Sequence, residues 1–217
     1  MNSKTANKIL LVTGILVSGM LSGCGPGATP TPEPTLTPTP HPLEITDTFG
    51  IVWASSFQRE GWDVNTWPTQ RAADAGARWD RWPLEWSRVE PAPGQFAWSG
   101  TSHNYDIAVD KDRGTSPPLN ILVVLGNTPQ WFDPASLDEP VFLDAEKTQP
   151  NPANQWGYFV YQASSRYHST ENSIIAWKIG NEPPAKTFTG VSVEDYVKFI
   201  SVACEVLETT DPNGLVV

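Results

Sequence analysis

Asn181 and Glu182 stand at the end of an apolar stretch, Ser173-Ile174-Ile175-Ala176-Trp177-Lys178-Ile179-Gly180, and are followed at once by Pro183-Pro184. The stretch has the length and composition of a buried strand, and the prolines stop it and stiffen the turn behind it. A strand ended in this way presents a carboxylate and a primary amide at its tip, aimed at one space. The carboxyl group can give or take a proton, and the amide can donate a hydrogen bond to a ligand oxygen. The competing reading is a solvated loop glutamate that happens to precede two prolines. In a regular pleat Lys178 points the same way as Glu182, two steps deeper. A lysine there needs a partner, unless a local bulge turns it outward.

No metal centre or cofactor is expected. His41, His103 and His168 fall in a proline-rich stretch, a loop and a helix end, with no spacing shared with a cysteine or a carboxylate cluster. No G-x-G-x-x-G fingerprint follows the first strand signal, FGIVWASSFQ. The formal charge of −10 excludes the basic footprint that nucleic-acid binders carry. The ten tryptophans point elsewhere, because an indole face stacks well on apolar or ring-shaped ligands, although many such residues simply fill a core.

The elements that must position these residues begin after a leader. Lys4 and Lys8 precede an apolar run from Ile9 to Leu21, and Leu21-Ser22-Gly23-Cys24 closes it. Residues 1–23 therefore read as a secretory signal, and the run is too short for a comfortable membrane span. Loss of two lysines and no acid leaves the remaining chain near −12. Residues 24–43 form a Thr/Pro-rich linker that favours polyproline II and reaches on the order of 50 Å. The domain proper is expected over 44–217.

Within it, strand and helix signals alternate. FGIVWA (49–54) is a strand. A helix follows with Asn65 or Thr66 as N-cap, Pro68 in its first turn and Gly76 as its stop. Ala77–Trp82 is a second strand, and the loop behind it carries Glu85, Glu90 and the PAPG turn at 91–94. Tyr105–Arg113 reads as a helix closed by Gly114, and LNILVVLG (119–126) as the clearest buried strand. In a helix near 153–168, Trp156, Phe159, Val160, Ala163 and Tyr167 share one face. The strand that carries Asn181 is the fourth. Ser192 then caps a helix through a capping box with Asp195. Its expected buried stripe is Val193, Tyr196, Val197, Ile200, Ala203 and Leu207, and Cys204 within it reads as a solitary, inert thiol. A DPNG turn at 211–214 leads to Leu215-Val216-Val217, the start of a fifth strand.

Near-continuous aliphatic strands alternating with helices mean an α/β fold with a parallel sheet. A doubly wound sheet and a (β/α)8 barrel both satisfy the order. The missing phosphate fingerprint favours the barrel, as do the Trp, Arg, Asn and Glu residues gathered behind strands two, three and four, where a barrel has its active face. A carboxylate at such a strand tip reads as catalytic. About four βα units and the start of a fifth strand are accounted for, so the chain is expected to be the N-terminal half of a longer domain. The alternative is a half-barrel that dimerises.

Three stretches, in this order, resemble the clan A glycoside hydrolases, (β/α)8 enzymes with catalytic acids on strands four and seven. IIAWKIGNEPP resembles their fourth strand. GARWDRWPLEWSRVEPAPGQFAW (76–98) resembles their second-strand region, and ILVVLGNTPQW (121–131) their third strand and its aromatic-bearing loop. The resemblance spans about 48–217. It implies Glu182 as general acid/base and Asn181 as the hydrogen-bond partner of the sugar 2-hydroxyl. Arg81 would orient the carboxylates beneath the site, and Trp131, Asn127, Trp86 and Trp53 would line sugar subsites. For Trp53, Trp86 and Trp177 a packed structural role competes.

The implied activity is hydrolysis of O-glycosyl bonds in poly- or oligosaccharides by a retaining mechanism, which needs a second carboxylate as nucleophile. The family takes it from strand seven, and neither Glu85 nor Glu90 matches it, so this chain is expected to turn over weakly or not at all. A non-catalytic surface carbohydrate-binding protein is the alternative. Gly180 stands where family members often carry a larger residue. LSGC resembles the bacterial lipobox, which implies lipidation of Cys24 and anchoring at the bacterial cell surface; a plain signal peptide is the alternative. Glucan, mannan, xylan and galactan all remain open as substrates.

Overall fold

The computed structural model describes residues 49–52, 68–100, 103–181 and 192–217. The signal, the linker, Cys24, Trp53, the first helix's N-cap and Glu182 lie outside them. Five strands form one parallel sheet: β1 (Gly50–Val52), β2 (Trp79–Glu85), β3 (Asn120–Gly126), β4 (Ile175–Ile179) and β5 (Leu215–Val216). Among the described residues, five α-helices accompany them: α1 (Pro68–Asp74), α2 (Trp86–Val89), α3 (Tyr105–Arg113), α4 (Gln155–Tyr167) and α5 (Val193–Thr210).

The strand order β1-β2-β3-β4-β5 decides between the two windings that the sequence leaves open. A doubly wound sheet reverses direction at a switch point. Here every strand is laid beside its predecessor in one direction, and crossovers of constant hand then put every helix on the same side. The register agrees. Asp80, Trp82 and Leu84 of β2 align with Ile121, Val123 and Leu125 of β3, and Ile175, Trp177 and Ile179 of β4 continue the rows. Eight of those nine side chains show no exposure at all and Ile179 very little; apart from Asp80, they join α3, α4 and α5 in the main core. The opposite face carries Arg81, Pro83, Glu85, Leu122, Lys178 and Leu215, and none of them belongs to that core. One covered face and one open face is the winding of a barrel wall.

Local chemistry explains most boundaries. Asn104 caps α3 by accepting from the Ile107 N–H at 3.0 Å, and Asn154 caps α4 by accepting from the Gly157 N–H at 2.8 Å. Ser192 caps α5, accepting from the Asp195 N–H at 3.0 Å while donating to the Asp195 carboxylate at 2.9 Å.

Three expectations are corrected. β2 runs three residues past Trp82, through Pro83, because β1 pairs with it only as far as Arg81 and a proline beyond that point removes no ladder bond on that side. The buried stripe of α5 is Phe199, Val202, Ala203, Cys204, Val206 and Leu207, while Val193 and Val197 are exposed. Phe199 sets that rotation: its ring meets Trp156 at 5.1 Å, and its carbonyl accepts from the Trp156 indole N–H at 2.9 Å. Cys204 is disulfide-bonded rather than a solitary thiol.

Candidate functional site

The open face gathers its polar side chains at the C-terminal ends of β2, β3 and β4. Arg81, Pro83 and Glu85 alternate onto it from β2, and Lys178 joins them from β4 in register with Val124. That register is unbroken, so Lys178 faces this side without a bulge.

Asn181 would not face this side in a regular strand. Continuing the pleat of β4 would send it toward the helices, as Ile179 is sent. Gly180 prevents this with φ at +74°, a left-handed conformation that a side chain disfavours. The chain turns there, and Asn181 Oδ1 accepts from Arg81 Nη2 at 2.7 Å and from Lys178 Nζ at 3.4 Å. Two cations converge on one amide oxygen, which fixes the orientation of the amide. This also accounts for the small residue at position 180.

β3 ends by the same device. Asn127 has φ at +57°, which asparagine tolerates better than most residues. Its amide returns to the open face and donates to Glu85 Oε1 at 2.6 Å, while its carbonyl accepts from the Ser87 N–H at 2.8 Å. Glu85 is the last residue of β2 rather than a loop residue, and its other carboxylate oxygen pairs with Arg88.

Two tyrosines that sequence reasoning missed hold these strand ends from the helix side. Tyr105 accepts the Glu85 N–H at 3.3 Å, and burial pushes its hydroxyl pKa up to about 12. Tyr196 donates to the Ile179 carbonyl at 2.8 Å, and its pKa is likewise raised by burial. Position in their helices gives no hint of this, since each contact depends on where the helix is laid.

The aromatic residues divide. Trp131 is half-buried at the rim, its indole N–H donating to the Glu90 carbonyl at 3.1 Å and its edge against Trp86 at 5.5 Å. Trp86 is fully buried, with Phe132, Trp156 and Phe159 rings also between 5.2 and 5.4 Å away. Trp86 thus takes the packed role that competed for it in the sequence, and it belongs to the core that seats Trp131. Glu90 is buried beneath, taking the Trp86 indole N–H and the Gly94 N–H at 2.7 Å each. Burial raises its pKa more than those two donors lower it. The four-residue spacing of Trp86 and Glu90 is a signal that marks this pair in the sequence. Trp177 is also core, its indole N–H donating to the buried Asp211 at 2.8 Å. His103 binds the Ala97 carbonyl at 2.8 Å and packs on Tyr105.

The structure thus brings together Arg81, Asn181 and Lys178, and beside them Glu85 and Asn127, with Trp131 over the Glu90 loop. Glu182 and Trp53 lie outside the described residues. Among the described residues, no group of three or more His, Cys, Asp or Glu is placed to hold a metal ion.

No family model and no curated protein matches the chain. Among solved structures, it is similar to a family 39 glycoside hydrolase from the gut symbiont Bacteroides cellulosilyticus WH2, at 19% identity and a TM-score of 0.49, over 77% of this chain and 30% of that one. It is also similar to GH5_18 from Streptomyces cattleya in complex with GlcNAc, at 15% identity and a TM-score of 0.44, over 72% of this chain and 39% of that one. The chain thus spans well under half the length of either.

Proposed function

We propose that this chain carries the acid/base side of a retaining, two-carboxylate site that hydrolyses O-glycosyl bonds, with Glu182 as the proton donor. The observation that supports this most is the convergence of Arg81 and Lys178 on Asn181 Oδ1 at the C-terminal edge of the sheet. Glu182 is the next residue.

Each part has a task in that chemistry. As oxocarbenium character develops, the leaving oxygen needs a proton, which Glu182 supplies and later withdraws from water. Asn181, its carbonyl oxygen held by two cations, directs its amide donors to the sugar 2-hydroxyl. Trp131 offers its indole to a sugar ring beside the cleavage point. The nucleophile's part is assigned to no residue of this chain: Glu85, a carboxylate at the same rim, is engaged by Asn127 and Arg88.

Calorimetric titration with oligosaccharides of glucan, mannan, xylan and galactan, beside turnover of aryl glycosides, tests this. At least one saccharide should bind, and Asn181→Ala should weaken it. Turnover by these 217 residues should be slight, and where it is measurable Glu182→Gln should suppress it for poor leaving groups while sparing dinitrophenolate. Full activity of Glu182→Gln on unactivated substrates, or no saccharide bound at all, would sink the proposal.

A further inference from the structure

The mechanism leaves Glu85 without a task, yet the fold prepares it with care. It ends β2 on the open face, in the same alternation as Arg81, and lies in register with Gly126, which contributes no side chain beside it. Its side chain is 19% exposed, so a ligand can reach it without its swinging freely in water. Asn127 Nδ2 holds one carboxylate oxygen at 2.6 Å and Arg88 holds the other. Asn127 is itself fixed by its left-handed backbone and by the Ser87 N–H, and the Glu85 backbone is fixed by Tyr105.

We infer that Glu85 is a sugar-hydroxyl acceptor that anchors the saccharide at the β2–β3 edge of the site. This rests on the site's being a saccharide site, as proposed above. A carboxylate accepts along about four lone-pair directions. Asn127 and Arg88 take one on each oxygen, leaving one on each for a ligand. Two oxygens held side by side match two neighbouring hydroxyls of a pyranose, and hydrogen bonds to an ionised acceptor are among the stronger ones available. Because both orienting partners are in place beforehand, little ordering is left to be done when the ligand arrives. A purely structural ion pair needs Arg88 but gives no reason for the reversal at Asn127, which is what brings a second donor to the same carboxylate.

The experiment is a titration of wild type, Glu85→Gln and Arg88→Gln against the saccharide that binds wild type best, with thermal unfolding of each variant alongside. Glu85→Gln keeps the shape and loses the charged acceptor, so affinity should fall about 10-fold to 100-fold. Arg88→Gln leaves the carboxylate and its Asn127 donor in place and removes one of the two orienting partners, so it should cost clearly less than Glu85→Gln, about 3-fold in affinity. If Glu85→Gln fails to fold, Glu85→Asp serves instead. It keeps the charge but withdraws it by one methylene, and it should also lose affinity. Undiminished binding in Glu85→Gln, or an equal loss in Arg88→Gln, overturns the inference and leaves the site reading standing. Absence of binding by wild type overturns both.

Discussion

Replacing Trp86 by Phe separates a core role from a ligand role at one position. The substitution keeps an aromatic ring and removes the indole N–H that Glu90 Oε2 accepts at 2.7 Å. Glu90 is only 3% exposed, so water does not replace the lost donor, and an orphaned buried acceptor costs about 1–3 kcal/mol. The smaller ring also withdraws contact from Trp131, Phe132, Trp156 and Phe159, which adds ~1–2 kcal/mol. The expected loss is therefore about 2–5 kcal/mol, a large part of the roughly 5–15 kcal/mol by which domains are stable. Urea unfolding followed by far-UV circular dichroism measures it without relying on tryptophan emission. A cycle with Glu90→Gln isolates the pair, whose coupling should be about 0.5–3 kcal/mol. A loss below about 0.5 kcal/mol accompanied by abolished saccharide binding would show that Trp86 is a subsite after all, and that the packing argument is wrong.

Two further outcomes follow from the same structure. Gly180→Ala places a Cβ at φ +74°, which costs about 1–2 kcal/mol, and relaxing that strain should also loosen Asn181 from Arg81; unchanged stability with unchanged saccharide affinity would refute the turn's role. For Glu90, burial raises the folded-state pKa above the unfolded value near about 4.3, so the folded state binds the proton more tightly. Its contribution is then fully present below that unfolded value and is lost as pH rises through the raised one. Against Glu90→Gln, wild type should be relatively most stable at acid pH, and a gap that widened in its favour toward pH 8 would contradict this sign.

Much of the fold was legible because it is set locally. The aliphatic run of β3, the limits of α3 and the buried face of α4 rest on neighbours within a turn or a strand, and the structure reproduces them. What escaped depends on partners far along the chain. Nothing near Pro83 says that β1 stops short of it, and nothing within α5 says that Phe199 must meet Trp156, 43 residues earlier. Asp211 read as a turn residue, yet it accepts from the Ser169 backbone and hydroxyl and from the Trp177 indole. The site was legible as a set of residue types at strand ends. The devices that aim those residues, a left-handed backbone at Gly180 and another at Asn127, are written in torsion angles rather than in residue types.

The contact between Trp131 and Trp86 has an optical consequence. Two indoles with centroids 5.5 Å apart and planes at 86° are close enough for their electronic transitions to couple. One of them is locked in the core and the other stands at the rim. Any tilt of Trp131 on meeting a ligand therefore changes a dipole geometry whose reference half does not move, and the near-ultraviolet dichroism of the protein reports it. The molecule carries its own goniometer at the edge of the site, readable without a label.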